Sequence, residues 1–353
     1  MEKLRRINII LMIIVIITSV FLLACQEQDQ GQDEKELVIY NWGDYMDPAL
    51  IEKFQKQEGI RVIYNEYATN EDLFVKLKNS NEQIDIIIPS DYMLERLIKE
   101  DLIQKIDKSN IKNLKTVNPT FINQECNPNG DYGVPYLWQT VGIIYNSEKY
   151  PEGLHAWADL WNEKYDKDMV LYNAQRDVLT IALKKLGYSI NTDNISELKE
   201  AEAELLKQKE INYAYLGDEI KDVLVNEDAG IGVVYSGDAG IIMSQNSKFK
   251  FLIPKEGSNM AIDFMAIPKN AEHKEIAERF IDFMLQEENA LKNTEYLMYN
   301  TPIDSVKEKL PKEILAYDLY PSEDELKRLT VYKDMSKYNK IYDQIWTEIT
   351  SGL

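Results

Sequence analysis

The sequence predicts an α/β protein of two lobes, each a mainly parallel sheet flanked by helices, with the chain crossing between the lobes several times. Three observations lead there. Between Leu37 and Lys99, apolar β-branched runs alternate with helical periodicity, a βαβαβα series of the kind that builds a parallel sheet. A second alternating series runs from Trp157 to Ile253. Two long extended stretches, 132–146 and 261–267, separate and follow these series and read as crossings. A chain of 353 residues is long enough to build two cores.

The first strand is Leu37-Val38-Ile39-Tyr40, a short apolar run. It stops at Asn41-Trp42-Gly43-Asp44-Tyr45. Asp47 then reads as an N-cap and Pro48 as the first helical residue. Leu50, Ile51 and Phe54 follow at helical spacing, and Gly59 ends the helix. Residues 61–67 read as a strand. Residues 71–78 read as a helix with Leu73, Phe74 and Leu77 on one face. A strand over 84–88 ends at Pro89-Ser90-Asp91-Tyr92, and a helix over 93–99 follows.

The second series starts with a short helix over 157–161. A strand over 169–172 and a helix over 177–186, closed by Gly187, come next. Residues 196–208 form an exposed amphipathic helix. Strands over 211–215 and 231–235 flank a helix over 220–225. A short helix over 237–244 and a strand over 249–253 complete the series. After the second crossing come helices over 274–285 and 287–293 and a turn at Tyr299-Asn300-Thr301-Pro302. The tail from Ser322 reads as helical and ends in an amphipathic helix over 338–349.

The composition, 44% hydrophobic and 28% charged, is that of a folded protein. A formal net charge of -20 argues against nucleic acid and anionic lipid headgroups as partners, and it attracts cations as well as serving solubility. The 2 cysteines, Cys25 and Cys126, and the 2 histidines, His155 and His273, form no ligand cluster, so neither a metal nor a cofactor is expected. Lys3, Arg5 and Arg6 precede the apolar run 7–23 and Leu22-Leu23-Ala24-Cys25. This leader resembles a bacterial lipoprotein signal, which implies removal of residues 1–24 and a diacylglycerol on the Cys25 thiol. An uncleaved signal anchor is the alternative. Either places the body outside the cytoplasmic membrane, extracellular in a single-membrane bacterium and periplasmic otherwise. Residues 25–36 are polar and without periodicity, and read as a flexible tether.

Candidate binding residues collect at strand ends, where ligands bind in open α/β sheets, and at the crossings. They are Trp42, Asp44 and Tyr45; Asp91 and Tyr92; Tyr235 and Asp238; Asp263; and Tyr299. Spaced carboxylates beside aromatic walls suit an organic cation with a methylene body. Each cation–π contact is worth about 0.5–2 kcal/mol. Burying either set of charges alone costs several kcal/mol per ion, so each requires the other. Few arginines or lysines sit at these points in the sequence. The same residues also have purely structural readings. Trp42 and Tyr45 would pack a loop, Asp177 and Asp238 would serve a helix N-terminus, and Tyr92 and Tyr299 would be core tyrosines. Trp138, Trp157 and Trp161 are assigned to packing.

Several motifs together resemble one family. They are Tyr-Asn-Trp-Gly-Asp-Tyr (40–45), Ile-Ile-Pro-Ser-Asp-Tyr (87–92), Tyr-Gly-Val-Pro-Tyr-Leu-Trp (132–138), Trp-Ala-Asp-Leu-Trp (157–161), Arg-Asp-Val (176–178), Ala-Leu-Lys-Lys-Leu-Gly-Tyr (182–188), Asp-Phe-Met-Ala-Ile-Pro (263–268) and Asn-Thr-Pro (300–302). In order and with few gaps, they resemble the spermidine/putrescine-binding proteins of polyamine ABC transporters. The resemblance implies a two-lobed, type II-like periplasmic-binding-protein fold that holds spermidine or putrescine in its cleft and delivers it to an ABC permease.

By position, Trp42 and Tyr45 would wall the ligand and Asp44 would contact an amine. Ser90 and Tyr92 would come from the same lobe, and Asp177 from the other. Tyr235 stands where the family has an aromatic, usually Trp. Asp263 matches the central carboxylate, Tyr299 a cleft tyrosine, and Asp238 a position that is acidic in putrescine-selective members. Tyr332 falls near a family Gln. Ala174 and Ala261 depart from an Asp and a Trp of the family, which leaves the preferred polyamine open. The expected lobes are 37–141 with 262–307, and 142–261 with 308–353. The hinge is expected at 139–142 and 260–263, with a third crossing near 305–308. A monomeric binding protein is expected and not an enzyme, since no chemistry-bearing motif appears. The alternatives are another organic cation, sugar or metal in the same cleft, or a secreted carbohydrate-active hydrolase using paired carboxylates.

Overall fold

The computed structural model describes residues 35–351. The expected signal peptide, Cys25 and the expected tether up to residue 34 lie outside the described residues. Strand β1 (Glu36–Trp42) extends past the apolar run. It does so because its buried polar residue is satisfied: the Asn41 amide donates to the Tyr64 hydroxyl at 2.8 Å and the Tyr45 carbonyl at 3.2 Å. Helix α1 (Pro48–Glu58) starts where the Asp47 side chain accepts the Ala49 N–H, and ends at Gly59 with a left-handed φ of 65°. Strand β2 (Arg61–Tyr67) and helix α2 (Asn70–Asn79) follow.

Strand β3 (Ile86–Ile87) is shorter than the predicted 84–88. The Ile88 carbonyl is taken by side chains, the Trp42 Nε1–H at 2.9 Å and the Tyr67 hydroxyl at 2.6 Å. Pro89, next in line, has no N–H to give a ladder. Helix α3 (Asp91–Lys99) begins immediately after. Strand β4 (Ile103–Gln104) and the single turn α4 (Pro119–Ile122) lead to β5 (Gly133–Asn146), the longest strand of the described residues.

The second series comprises β6 (Met169–Tyr172), α5 (Gln175–Leu186), α6 (Ile195–Ile211), β7 (Ala214–Leu216), α7 (Ile220–Val225), β8 (Ile231–Tyr235), α8 (Ser236–Gln245) and β9 (Phe249–Leu252). Residues 157–161 form a 3₁₀ turn. The strand expected over 211–215 starts later, because Ile211 still belongs to α6 and buried Asn212 caps it. Strand β10 (Met260–Pro268) crosses back. Helices α9 (Lys274–Met284), α10 (Glu287–Leu297), α11 (Asp304–Lys307), α12 (Lys312–Leu315), α13 (Glu323–Leu326) and α14 (Asn339–Thr350) complete the chain. The tail is not continuously helical from Ser322. After one turn of α13 the backbone extends, with Thr330 accepting from the Met260 N–H and donating to the Ser258 carbonyl, both at 3.0 Å. Pairing with a remote segment there overrides local helical preference.

The strand order is β2-β1-β3-β10-β5-β8-β6-β7, with β4 on β10 and β9 on β5. Parallel pairing occupies the flanks: β1 with β3, and β6 with both β7 and β8. The two crossing strands are antiparallel to their neighbours and to each other. β5 therefore serves both halves. Residues up to Thr140 pair with β10, and residues from Val141 onward pair with β8 and β9.

Alternate strand residues feed opposite cores, as the two-residue strand period requires. Met265 and Ile267 join one core with Phe54, Phe280 and Phe283, while Phe264 and Ala266 join another with Leu73, Phe74 and Leu94. In the second half, Ile231 and Val233 pack with Trp157, α5, α6 and the Tyr342, Ile345 and Ile349 face of α14. Val234 packs with α7 and α8. Both halves are thus sheets covered on both faces. Among the described residues, no helix is long and apolar enough to cross a membrane.

Phe280 is fully buried and meets Phe54 edge-on with ring centroids 4.9 Å apart. Phe280→Ala is expected to lower stability by about 3–5 kcal/mol, read from urea unfolding monitored by circular dichroism.

Candidate functional site

The ends of β1, β3, β6 and β8 and the middle of β10 surround a cavity of ≈ 890 Å³. Asp263 lines it and is 2% exposed. The β5–β10 register shifts between Asp263 and Phe264, where β5 carries an extra residue, Tyr136, opposite an unbroken β10, so Asp263 keeps the regular alternation of its strand. Its Oδ1 accepts the Ser90 hydroxyl and its Oδ2 the Tyr45 hydroxyl, each at 2.7 Å. Ser90 stands at the N-cap position of α3, yet its hydroxyl makes no capping bond and turns to Asp263 instead. Burial pushes the Asp263 carboxyl up to about 6, and the two hydroxyls hold it back from a larger rise. It has no ion-pair partner among the described residues.

Asp177 sits in the first turn of α5. It accepts the Tyr235 hydroxyl at 2.7 Å, the Tyr332 hydroxyl at 2.9 Å and the Asn259 amide at 3.4 Å. Burial raises its carboxyl, while the tyrosine hydroxyls and the Arg176 charge lower it. Asp238 sits in the first turn of α8 and accepts the Tyr172 hydroxyl at 2.6 Å, with Lys221 Nζ at 3.7 Å. Burial raises this carboxyl too, against the Lys221 charge. Asp91 is fully buried and differs in kind, because its oxygens accept the Tyr92 N–H at 2.6 Å and the Ile262 N–H at 3.0 Å. Burial lifts its carboxyl to about 8, and its bonds tie α3 to β10 beneath the cavity.

Aromatic rings line the space between these acids. Tyr45 meets Tyr299 edge-on at 5.0 Å, Tyr172 and Tyr235 lie 4.7 Å apart, and Trp42 lies 4.7 Å from Tyr67. Tyr299 rests directly on the backbone of α8: a Cβ added at Gly237 would stand 2.1 Å from Tyr299 Cδ2. Only the absent side chain of Gly237 lets that ring approach the acids.

Of the residues singled out in the sequence, Trp42, Tyr45, Ser90, Tyr92, Asp177, Tyr235, Asp238, Asp263, Tyr299 and Tyr332 all line this one cavity, as do Ala174 and Ala261. Asp44 does not. It occupies a surface turn with a left-handed φ of 49°, exposed to solvent and outside the lining, so the structure gives it no place beside an amine. The expectation that bases avoid the acids also needs correction, since Arg176 lines the cavity and Lys221 reaches Asp238. Sequence reading missed Tyr172, Tyr67 and Asn259. Tyr172 ends β6 as Tyr235 ends β8, so the strand-end rule applies to it equally. Nothing local signals Asn259. Among the described residues, no group of three or more His, Cys, Asp or Glu is placed to hold a metal ion.

A fold of two doubly covered halves joined by crossing strands, with a cavity of acids and rings between them, defines a solute-binding protein. The family model of bacterial extracellular solute-binding proteins matches residues 49–321, and the chain belongs to that family. Among its relatives, the spermidine/putrescine-binding periplasmic protein of Salmonella typhimurium is 34% identical over 326 residues, covering 91% of this chain and 93% of the relative. A solved structure from Listeria monocytogenes, assigned to spermidine/putrescine ABC transport, superposes with a TM-score of 0.86 at 38% identity, over 90% of this chain and 99% of that one. The spermidine/putrescine ABC transporter substrate-binding protein PotD of Streptococcus pneumoniae superposes with a TM-score of 0.80 at 36% identity, over 89% of this chain and 98% of that one.

Gly237→Ala forces Tyr299 off α8. The expected outcome is a loss of about 1–3 kcal/mol in denaturant unfolding, with an altered near-ultraviolet circular dichroism spectrum from the displaced tyrosines.

Proposed function

We propose that the cavity captures spermidine or putrescine and that the protein delivers it to an ABC permease. It acts as a monomeric, lipid-anchored binding protein, held through Cys25 on the outer face of the cytoplasmic membrane. It has a binding role and not a catalytic one. The observation that carries this reading is the state of Asp263, a buried carboxylate held by two hydroxyls and, among the described residues, by no base. A hydroxyl donor stabilises a carboxylate without cancelling its charge, so the pocket is left short of a cation. An alkylammonium supplies that charge and three donors, and its methylenes lie against the rings of Trp42, Tyr45, Tyr235 and Tyr299. Asp44 is left out of this binding set.

Capture proceeds by hinge closure. The lobes are 37–141 with 262–307, and 142–261 with 308–353. Ser90 and Tyr45 come from one lobe, and Asp177, Tyr235 and Asp238 from the other. A ligand that touches both sets favours the closed state by the contacts it gains there. The hinge lies at 139–142 and 260–263, where β5 and β10 run side by side, with a third crossing near 305–308.

Asp263→Asn keeps the shape of the side chain and removes the charge. Titration calorimetry with spermidine and putrescine is expected to show a loss of about 2–5 kcal/mol in affinity for whichever the wild type binds. The far-ultraviolet circular dichroism should stay unchanged. Unaltered affinity in the folded variant would refute the role given to Asp263.

A pH dependence follows from the same carboxyl. Binding a cation requires Asp263 ionised, and in the free protein it ionises near 6. The ligand's alkylamines stay protonated far above that range. Below pH 6 each binding event must expel a proton, so affinity falls as pH falls. The expected drop is about tenfold between pH 7.5 and pH 5. Calorimetry in buffers of different ionisation enthalpy should register proton release on binding at the lower pH.

A further inference from the structure

We infer that Arg176 is a specificity-determining end stop, a cation built into the cleft that rejects polyamines carrying a further ammonium at that end. The inference rests on the polyamine reading above. The Arg176 guanidinium carbon lies 4.2 Å from the ring centroid of Tyr332 and 5.1 Å from that of Tyr92. The two rings stand nearly perpendicular, at 87°, with centroids 6.5 Å apart. Two rings at right angles around a cation are the arrangement that recognises alkylammonium ligands. Here the protein's own side chain already fills it.

The guanidinium is held there from behind. Its Nη2 donates to Asn191 Oδ1 at 3.0 Å. Asn191 is itself fixed to the segment carrying Tyr332, donating to the Val331 carbonyl and accepting the Lys333 N–H, each at 2.9 Å. The guanidinium does not neutralise its sequence neighbour through a hydrogen bond. Asp177 takes its protons from Tyr235, Tyr332 and Asn259, and Arg176 Nε is buried without a partner among the described residues. The charge of Arg176 therefore faces the cavity beside Asp177, while Asp263 has no ion-pair partner among the described residues.

This asymmetry orients and measures the ligand. One ammonium goes to Asp263, where nothing competes. A chain long enough to carry another ammonium past Asp177 places it against the guanidinium. Like charges brought together in a desolvated site cost several kcal/mol, which is how binding sites reject near-relatives of their ligand. Tyr92 comes from one lobe and Arg176 with Tyr332 from the other, so the end stop is complete only when the cleft is closed.

The test is calorimetry with putrescine, spermidine and spermine on the wild type, Arg176→Met, Arg176→Lys and Asn191→Ala. Methionine fills much the same length without charge. In Arg176→Met, spermine affinity relative to putrescine is expected to rise about tenfold, equivalent to about 1.4 kcal/mol. Putrescine affinity is free to change as well, since Arg176 acts on Asp177, so the spermine-to-putrescine ratio is the readout. Arg176→Lys keeps the charge and should keep the wild-type ratio. Asn191→Ala frees the guanidinium and should shift the ratio in the same direction as Arg176→Met, by less. If Arg176→Met does not fold, Asn191→Ala decides. An unchanged spermine-to-putrescine ratio in the folded variants overturns the end stop alone, and so does an equal rise in Arg176→Lys. A wild type that binds none of the three overturns the polyamine reading and this inference with it.

Discussion

A carboxylate 2% exposed, held by two hydroxyl groups and paired with no base among the described residues, is the constraint around which the rest of the molecule is arranged. A charge in that position is tolerable only if its donors cannot move away. Tyr45 is fixed at both ends. Its hydroxyl bonds Asp263, and its carbonyl accepts from the Tyr136 hydroxyl at 2.8 Å and the Asn41 amide at 3.2 Å. Tyr136 is in turn held by the Asn293 amide at 2.8 Å. Ser90 is fixed because it begins α3, whose first residue, Asp91, is tied to β10 through the Ile262 N–H. Two donors from separate segments, the turn after β1 and the start of α3, thus converge on one residue of a crossing strand.

The choice of tyrosine as donor has a chemical logic. Tyrosine hydroxyls serve Asp263, Asp177 and Asp238 alike. A lysine or arginine in contact would satisfy each acid completely and leave nothing for a ligand. A hydroxyl satisfies the hydrogen-bonding capacity in part, leaves the charge standing, and brings a ring that accepts methylene groups. The same tyrosines therefore keep the ligand-free protein tolerable and keep its cleft electrostatically incomplete. Bases do occur nearby, and their placement is unequal: Lys221 stands beside Asp238, Arg176 stands beside Asp177 in an aromatic cage, and Asp263 has neither.

The crossing strands make this convergence possible. β5 and β10 are paired through the middle of the molecule, so the site is built on the element that both halves share. The β5 bulge at Tyr136 falls on that shared ladder next to Asp263, whose side chain enters the cavity from the joint itself. Residues from the strand ends of either half then approach from opposite sides.

The sequence by itself determined most of the elements, the strand-end positions of Trp42, Tyr45, Ser90 and Tyr235, and the place of Asp263 on a crossing strand, because these follow from local periodicity, capping and turn chemistry over a few residues. Its motifs also carried the family resemblance. It could not show that Asp44, one residue from Tyr45, faces water, since a left-handed turn redirects a side chain without leaving a periodic trace. Nor could it show that Arg176 enters an aromatic cage whose rings lie 84 residues before it and 156 residues after it. Those contacts, like the seat of Tyr299 on Gly237 and the joining of Thr330 to β10, were decided by tertiary structure. They depend on which remote backbone lies within hydrogen-bond or van der Waals reach, and that is fixed only when the two halves share their central strands.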